Sequence, residues 1–183
     1  MIPTGKRFLL GLDVSGSMGT PIANTYLSCR DASAALAMVS VKTEVFTHAV
    51  GFTAGSGGSW YSSALALTQL GFSKSQRLDD AVARVSGLSF GRTDCSLPMV
   101  YAMNEGIEVD VFVVFTDSET YAGTPHPSQA LQQYREKTGI NAKLIVCGMV
   151  SNGFTIADPN DPGMLDVVGF STNVPAVMSE FVR

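Results

Sequence analysis

The sequence predicts a doubly wound α/β domain, with a mostly parallel central sheet and helices on both faces. Short, nearly unbroken apolar runs recur along the chain, and segments with helical spacing separate them. Such runs suit strands buried on both faces, and regular alternation of strand with helix is the pattern of a parallel sheet. Size is the third observation. The 183 residues, 45% apolar and 15% charged with 18 Gly, supply one packed core and exclude a disordered tail, a coiled coil or a collagen-like rod. Residues 1–183 are therefore expected to form a single domain.

The elements follow in order. Residues 7–12 (RFLLGL) form the first apolar run, and 45–52, 109–115 (VDVFVVF) and 143–149 (KLIVCGM) repeat the pattern. Helical spacing covers 25–41, 78–85, 96–104 and 128–137, and 174–182 reads as a closing helix. The 54–59 stretch (AGSGGS) is linker-like: a flexible loop, an insertion point or a splice. Weak alternation over 63–69 (SALALTQ) is compatible with an antiparallel edge strand. Pro159, Pro162, Gly163 and Pro175 mark late loops.

Charge and cysteine content narrow the function. Twelve Lys and Arg against 16 Asp and Glu leave a net charge of −4. With a pI near 5.0, neutralisation of phosphates alone does not account for nucleic-acid binding, which usually raises domain pI above ~9. No apolar run approaches the ~18 residues that span a bilayer, and the first one breaks at Asp13, too early for a signal peptide. Cys29, Cys95 and Cys147 are odd in number and lie in apolar or helix-like segments, the pattern of reduced, buried thiols. A soluble, cytoplasmic or nuclear protein with no membrane partner is expected.

In an open parallel sheet, ligands gather at the carboxyl ends of the strands. Directly after the first run stands Asp13-Val14-Ser15-Gly16-Ser17. One carboxylate and two hydroxyls suit a hard cation such as Mg²⁺, which takes about six oxygens and keeps several waters. Gly16 is expected to let the turn aim both hydroxyls inward. The competing reading is that Asp13 and Ser15 cap the following helix. Two further loops lie where helices begin. One is 91–98 (GRTDCSLP), where Thr93 or Asp94 reaches toward a shared ion; in the other, Asp117 follows the most apolar strand.

Asp13-x-Ser15-x-Ser17, then Thr93, then Asp117, in that order, resembles the metal-ion-dependent adhesion site of von Willebrand factor A domains, whose sheet is Rossmann-like. The resemblance implies Mg²⁺, or another divalent cation such as Mn²⁺, on Ser15, Ser17 and Thr93, with Asp13 and Asp117 supporting it, often through water. It implies a vacant corner that an outside carboxylate or phosphate completes. The runs 91–99, 110–117, 143–149 and 151–159 are similar to the C-terminal A domain of the Ro ribonucleoprotein autoantigen family. In that family a separate ring of helical repeats, absent from this chain, binds small non-coding Y RNAs and the ends of misfolded RNAs. The resemblance thus implies a non-enzymatic, metal-dependent binding module of an RNA-binding particle. Arg92, Tyr121, His126 and Phe154 are candidate stacking or phosphate contacts beside the ion.

Other readings remain open. An A domain could capture an acidic protein ligand with no role for RNA. A Mg²⁺-dependent phosphoryl-transfer enzyme is the second alternative, but Ser15 stands where such enzymes place their second acid. Neither serine sits in Gly-x-Ser-x-Gly, and no nucleotide phosphate loop is present. His48 lies in a strand-like run and reads as a packed or edge residue. The 158–163 stretch has Gly169 where a calcium loop needs Glu, so it reads as a solvated turn. Asp79 and Asp80 open a helix and suit its positive end. The eight Met residues read as gap-fillers in the core.

Overall fold

The computed structural model describes residues 2–22, 25–53, 67–88, 93–117, 125–151 and 156–183. The strands are β1 (Arg7–Asp13), β2 (Phe46–Phe52), β3 (Leu67–Gln69), β4 (Val111–Thr116), β5 (Lys143–Gly148) and β6 (Met164–Val168). The helices are α1 (Cys29–Thr43), α2 (Leu78–Ser86), α3 (Leu97–Glu105), α4 (Pro127–Thr138) and α5 (Val174–Val182). One sheet runs in the order β3-β2-β1-β4-β5-β6. Every neighbouring pair is parallel except β2 with β3. This is the doubly wound α/β architecture that the apolar runs predict.

Period-two alternation along the strands feeds two cores, one on each face. Phe8, Leu10, Leu12, Val113, Phe115 and Ile145 pack with Ala32, Leu36 and Val41 of α1 and Val174, Met178 and Val182 of α5. Leu9, Val50, Phe112, Val114, Leu144 and Val146 pack with Met99 and Ala102 of α3 and Leu131 and Tyr134 of α4. Helices therefore cover both faces, which is why β4 is buried at every position.

Register and close approach place the loops. Leu12 pairs with Phe115 on one side and Gly51 on the other, so β1 and β4 end side by side. The chain leaves β1 toward β2 and later returns to β4, making their boundary the switch point of the sheet. Gly11 is required there. A Cβ at Gly11 would lie 2.6 Å from Cγ of Pro98, so only a bare backbone lets the first turn of α3 press onto β1. That contact draws residues 93–96 toward the end of β1.

Several boundaries differ from the sequence expectations for identifiable reasons. Helix α1 begins at Cys29 rather than 25, because the Ser28 side chain accepts from the Asp31 N–H at 3.1 Å and caps it there. The edge strand expected over 63–69 is described at 67–69, antiparallel to β2 and last in the sheet. Strand β6 lies where only late loops were expected. Its side chains are half-buried or exposed, with Asp166 interrupting the apolar pattern. An edge strand of this kind carries no long apolar run. The preceding turn is not merely solvated, since Asp161 pairs with Arg135, their side chains 17% and 19% exposed. The linker-like stretch at 54–59 lies outside the described residues.

Candidate metal centre

The centre starts from the last residue of β1. Asp13 is fully buried. Its Oδ1 accepts from the Ser15 N–H at 2.8 Å, and its Oδ2 accepts from the Thr116 hydroxyl at 2.9 Å. Thr116 ends β4, so the carboxylate bridges the two strands at the switch point. Burial is the largest influence on Asp13 and raises its pKa to about 6; bonds from Ser15 and Thr116 oppose this, and the charge of Asp117 adds to it.

Beyond Asp13 the chain tightens into a short 3-10 turn, Gly16–Gly19. Ser15 stands at its N-cap position, yet its side chain makes no capping bond. Its hydroxyl instead lies 3.1 Å from that of Ser17. Capping is thus left to Ser28, and the helix-cap reading does not describe what the Ser15 hydroxyl does. Asp13 does brace the turn through the Ser15 N–H. The role expected of Gly16 needs correction: its φ is not positive, and an added Cβ would meet nothing within 4 Å. The turn is held by Asp13 and by the Ser15 carbonyl, which accepts from the Met18 N–H and from Nη2 of Arg30, both at 3.2 Å.

The other two loops arrive from α3 and β4. Thr93 and Asp117 are both buried. Asp117 directly follows Thr116, and its charge acts on Asp13. Cys95, two residues after Thr93, places its sulfur 3.8 Å from the Thr116 hydroxyl. Asp94 is engaged elsewhere: its Oδ1 accepts from the N–H and hydroxyl of Ser96 at 3.0 and 2.6 Å. His126 is exposed and caps α4, its ring nitrogen accepting from the Ser128 N–H at 3.4 Å. Arg92, Tyr121 and Phe154 lie outside the described residues.

The donor set can be tested against the ion. Ligands about 2.1 Å from an octahedral Mg²⁺ and adjacent to one another are separated by ~3.0 Å. The 3.1 Å between the two hydroxyls matches that edge. Among the described residues no group of three or more His, Cys, Asp or Glu is gathered to hold a metal ion, so a cation at this turn would depend on the hydroxyls. Oxygen donors beside buried carboxylates fit a hard divalent cation.

Thr116 and Arg30 join the site without being among the residues expected from sequence. A hydroxyl closing an otherwise apolar strand, just before Asp117, was a signal for Thr116. Arg30 gave none, because its contact with Ser15 spans 15 positions.

A family model described as the Ro60 vWA domain matches residues 7–182. The chain belongs to that family. It is 41% identical to the RNA-binding protein RO60 of Caenorhabditis elegans over 181 residues, 98% of this chain and 26% of the relative. It is also 41% identical to the Deinococcus radiodurans protein of the same name over 183 residues, covering 99% and 32%. The chain thus spans only about a quarter to a third of these relatives' lengths. The crystal structure of the Deinococcus radiodurans RO protein superposes with a TM-score of 0.85 at 40% identity, over all of this chain and 35% of that one. Two distant structures share the fold. A manganese-loaded Plasmodium vivax TRAP protein has a TM-score of 0.54 at 15% identity, covering 100% and 75%. The mussel byssus proximal thread matrix protein 1, its adhesion-site motif occupied by zinc, has 0.58 at 12%, covering 99% and 48%.

Proposed function

We propose that this Ro60 A domain is a non-enzymatic binding module that holds Mg²⁺ or a similar divalent cation and offers it to a phosphate of RNA. The paired hydroxyls of Ser15 and Ser17, 3.1 Å apart beside a fully buried carboxylate, carry the reading. Ser15, Ser17 and Thr93 would hold the ion, and Asp13 and Asp117 would supply its charge balance. A bound cation would act as a Lewis acid that takes an anionic oxygen from outside into its shell. The protein's own part is positional. Thr116 and the Ser15 N–H fix both oxygens of Asp13, and Gly11 lets α3 bring the Thr93 loop close.

Two relatives named RNA-binding proteins support RNA as the partner, and metal-loaded proteins of the same fold support a divalent cation. Metal-assisted capture also suits a net charge of −4, because an acidic domain gains little from phosphate neutralisation by its own side chains. No helix among the described residues is long and apolar enough to cross a membrane; a cytoplasmic or nuclear location belongs to this proposal.

The test is electrophoretic mobility of a single-stranded RNA with the wild-type chain and Asp13→Ala, in Mg²⁺ and in EDTA. Binding in Mg²⁺ that is lost in EDTA and in the variant is the expected result. RNA binding that survives EDTA overturns the metal-mediated contact. Capture of an acidic peptide in Mg²⁺ with no RNA binding would select the acidic-ligand alternative.

A further inference from the structure

Arg30 is the second residue of α1, and only 8% of its surface is exposed. Two effects oppose a cation at that place. Desolvation lowers the pKa of its guanidinium, and the first turn of a helix is the positive end of the helix dipole. Asp31 and Asp13 act in the other direction, their charges favouring the cationic form. Through Nη2 the guanidinium also holds the Ser15 carbonyl at 3.2 Å. The side chain therefore ties the turn carrying both hydroxyls to α1 while placing a positive charge within reach of the buried Asp13 carboxylate.

We propose that Arg30 is a resident counter-charge of the metal turn, positioning the Ser15 backbone and setting how tightly the cation binds. The inference rests on the cation reading above. Asp13 and Asp117 repel each other within a buried setting, and Arg30 offsets part of that repulsion before any ion arrives. Once a divalent cation enters, the same positive charge opposes it. Arg30 thus stabilises the metal-free turn and weakens the metal-bound one relative to a neutral residue. A merely structural arginine would do neither selectively, since its loss would loosen the turn and weaken binding.

The experiment measures Mn²⁺ affinity by calorimetry, and thermal stability with and without Mn²⁺, for the wild type, Arg30→Gln, Arg30→Met and Arg30→Lys. The two neutral variants are expected to melt at lower temperature without metal and to bind Mn²⁺ about tenfold tighter. Arg30→Lys gives up the guanidinium fork but keeps the charge, and because the charge sets the affinity it is expected to stay within about twofold of the wild type. Using two neutral variants guards against one failing to fold. A folded neutral variant that binds Mn²⁺ no tighter than the wild type overturns the inference alone. A wild-type chain that binds no Mn²⁺ overturns the cation reading and this inference with it.

Discussion

Asp13 gives the sharpest prediction, because a buried carboxylate without a bound cation couples stability to pH. Burial lifts its pKa to about 6 in the folded chain, against an ordinary aspartate value of 3.8. The raised value means that folding favours the protonated form. Without metal, the contribution of Asp13 is therefore fully present below pH ~4 and lost as pH rises through about 6. At ~1.4 kcal/mol for each tenfold change, ionising Asp13 at pH 7 costs the folded chain roughly 3 kcal/mol. A divalent cation reverses the sign, because it favours the ionised carboxylate. Urea unfolding between pH 4 and 8, in EDTA and in Mg²⁺, for the wild type and Asp13→Asn, measures this directly. In EDTA the wild type is expected to lose stability relative to the variant across pH 4 to 7, and Mg²⁺ is expected to restore it. Parallel wild-type and variant curves in EDTA would refute the reasoning, showing that burial of Asp13 is already compensated.

Three other outcomes follow from the packing. Gly11→Ala would drive a Cβ to 2.6 Å from Cγ of Pro98; a loss of about 1–3 kcal/mol in chemical denaturation is expected, with weaker metal binding as α3 moves away. Ser28→Ala removes the cap of α1 and should cost about 1 kcal/mol by the same measurement. Cys29, Cys95 and Cys147 are all buried and free, and desolvation pushes the Cys147 thiol up to about 12. Native protein at pH 8 should therefore leave all three unlabelled by a thiol reagent for as long as it stays folded, and denatured protein should label fully.

The parts of the fold legible in the sequence are those governed by local pattern. Nearly unbroken apolar runs mark β1, β4 and β5 because both faces of those strands are covered, and β2 because its second half is buried. Strand β6 escaped because an edge strand interrupted by Asp166 needs no such run. In the candidate site, Asp13, Ser15 and Ser17 are legible from their spacing at a strand end. The couplings of Asp13 to Thr116 and of Ser15 to Arg30 are not, since they join positions 103 and 15 apart. Only the β1–β4 register brings the first pair together. Gly16 differs from its sequence expectation for another reason: a glycine in a functional turn suggests a special backbone, whereas this turn has no positive φ at Gly16 and relies on carboxylate and arginine bonds.

A high-resolution crystal structure grown in Mg²⁺ would show whether the two hydroxyls share one ion. The predicted map places one density near 2.1 Å from Oγ of both Ser15 and Ser17, with the octahedral oxygen shell of magnesium. Hydroxyls turned away from each other, or a cation bound elsewhere with none at this turn, would contradict it.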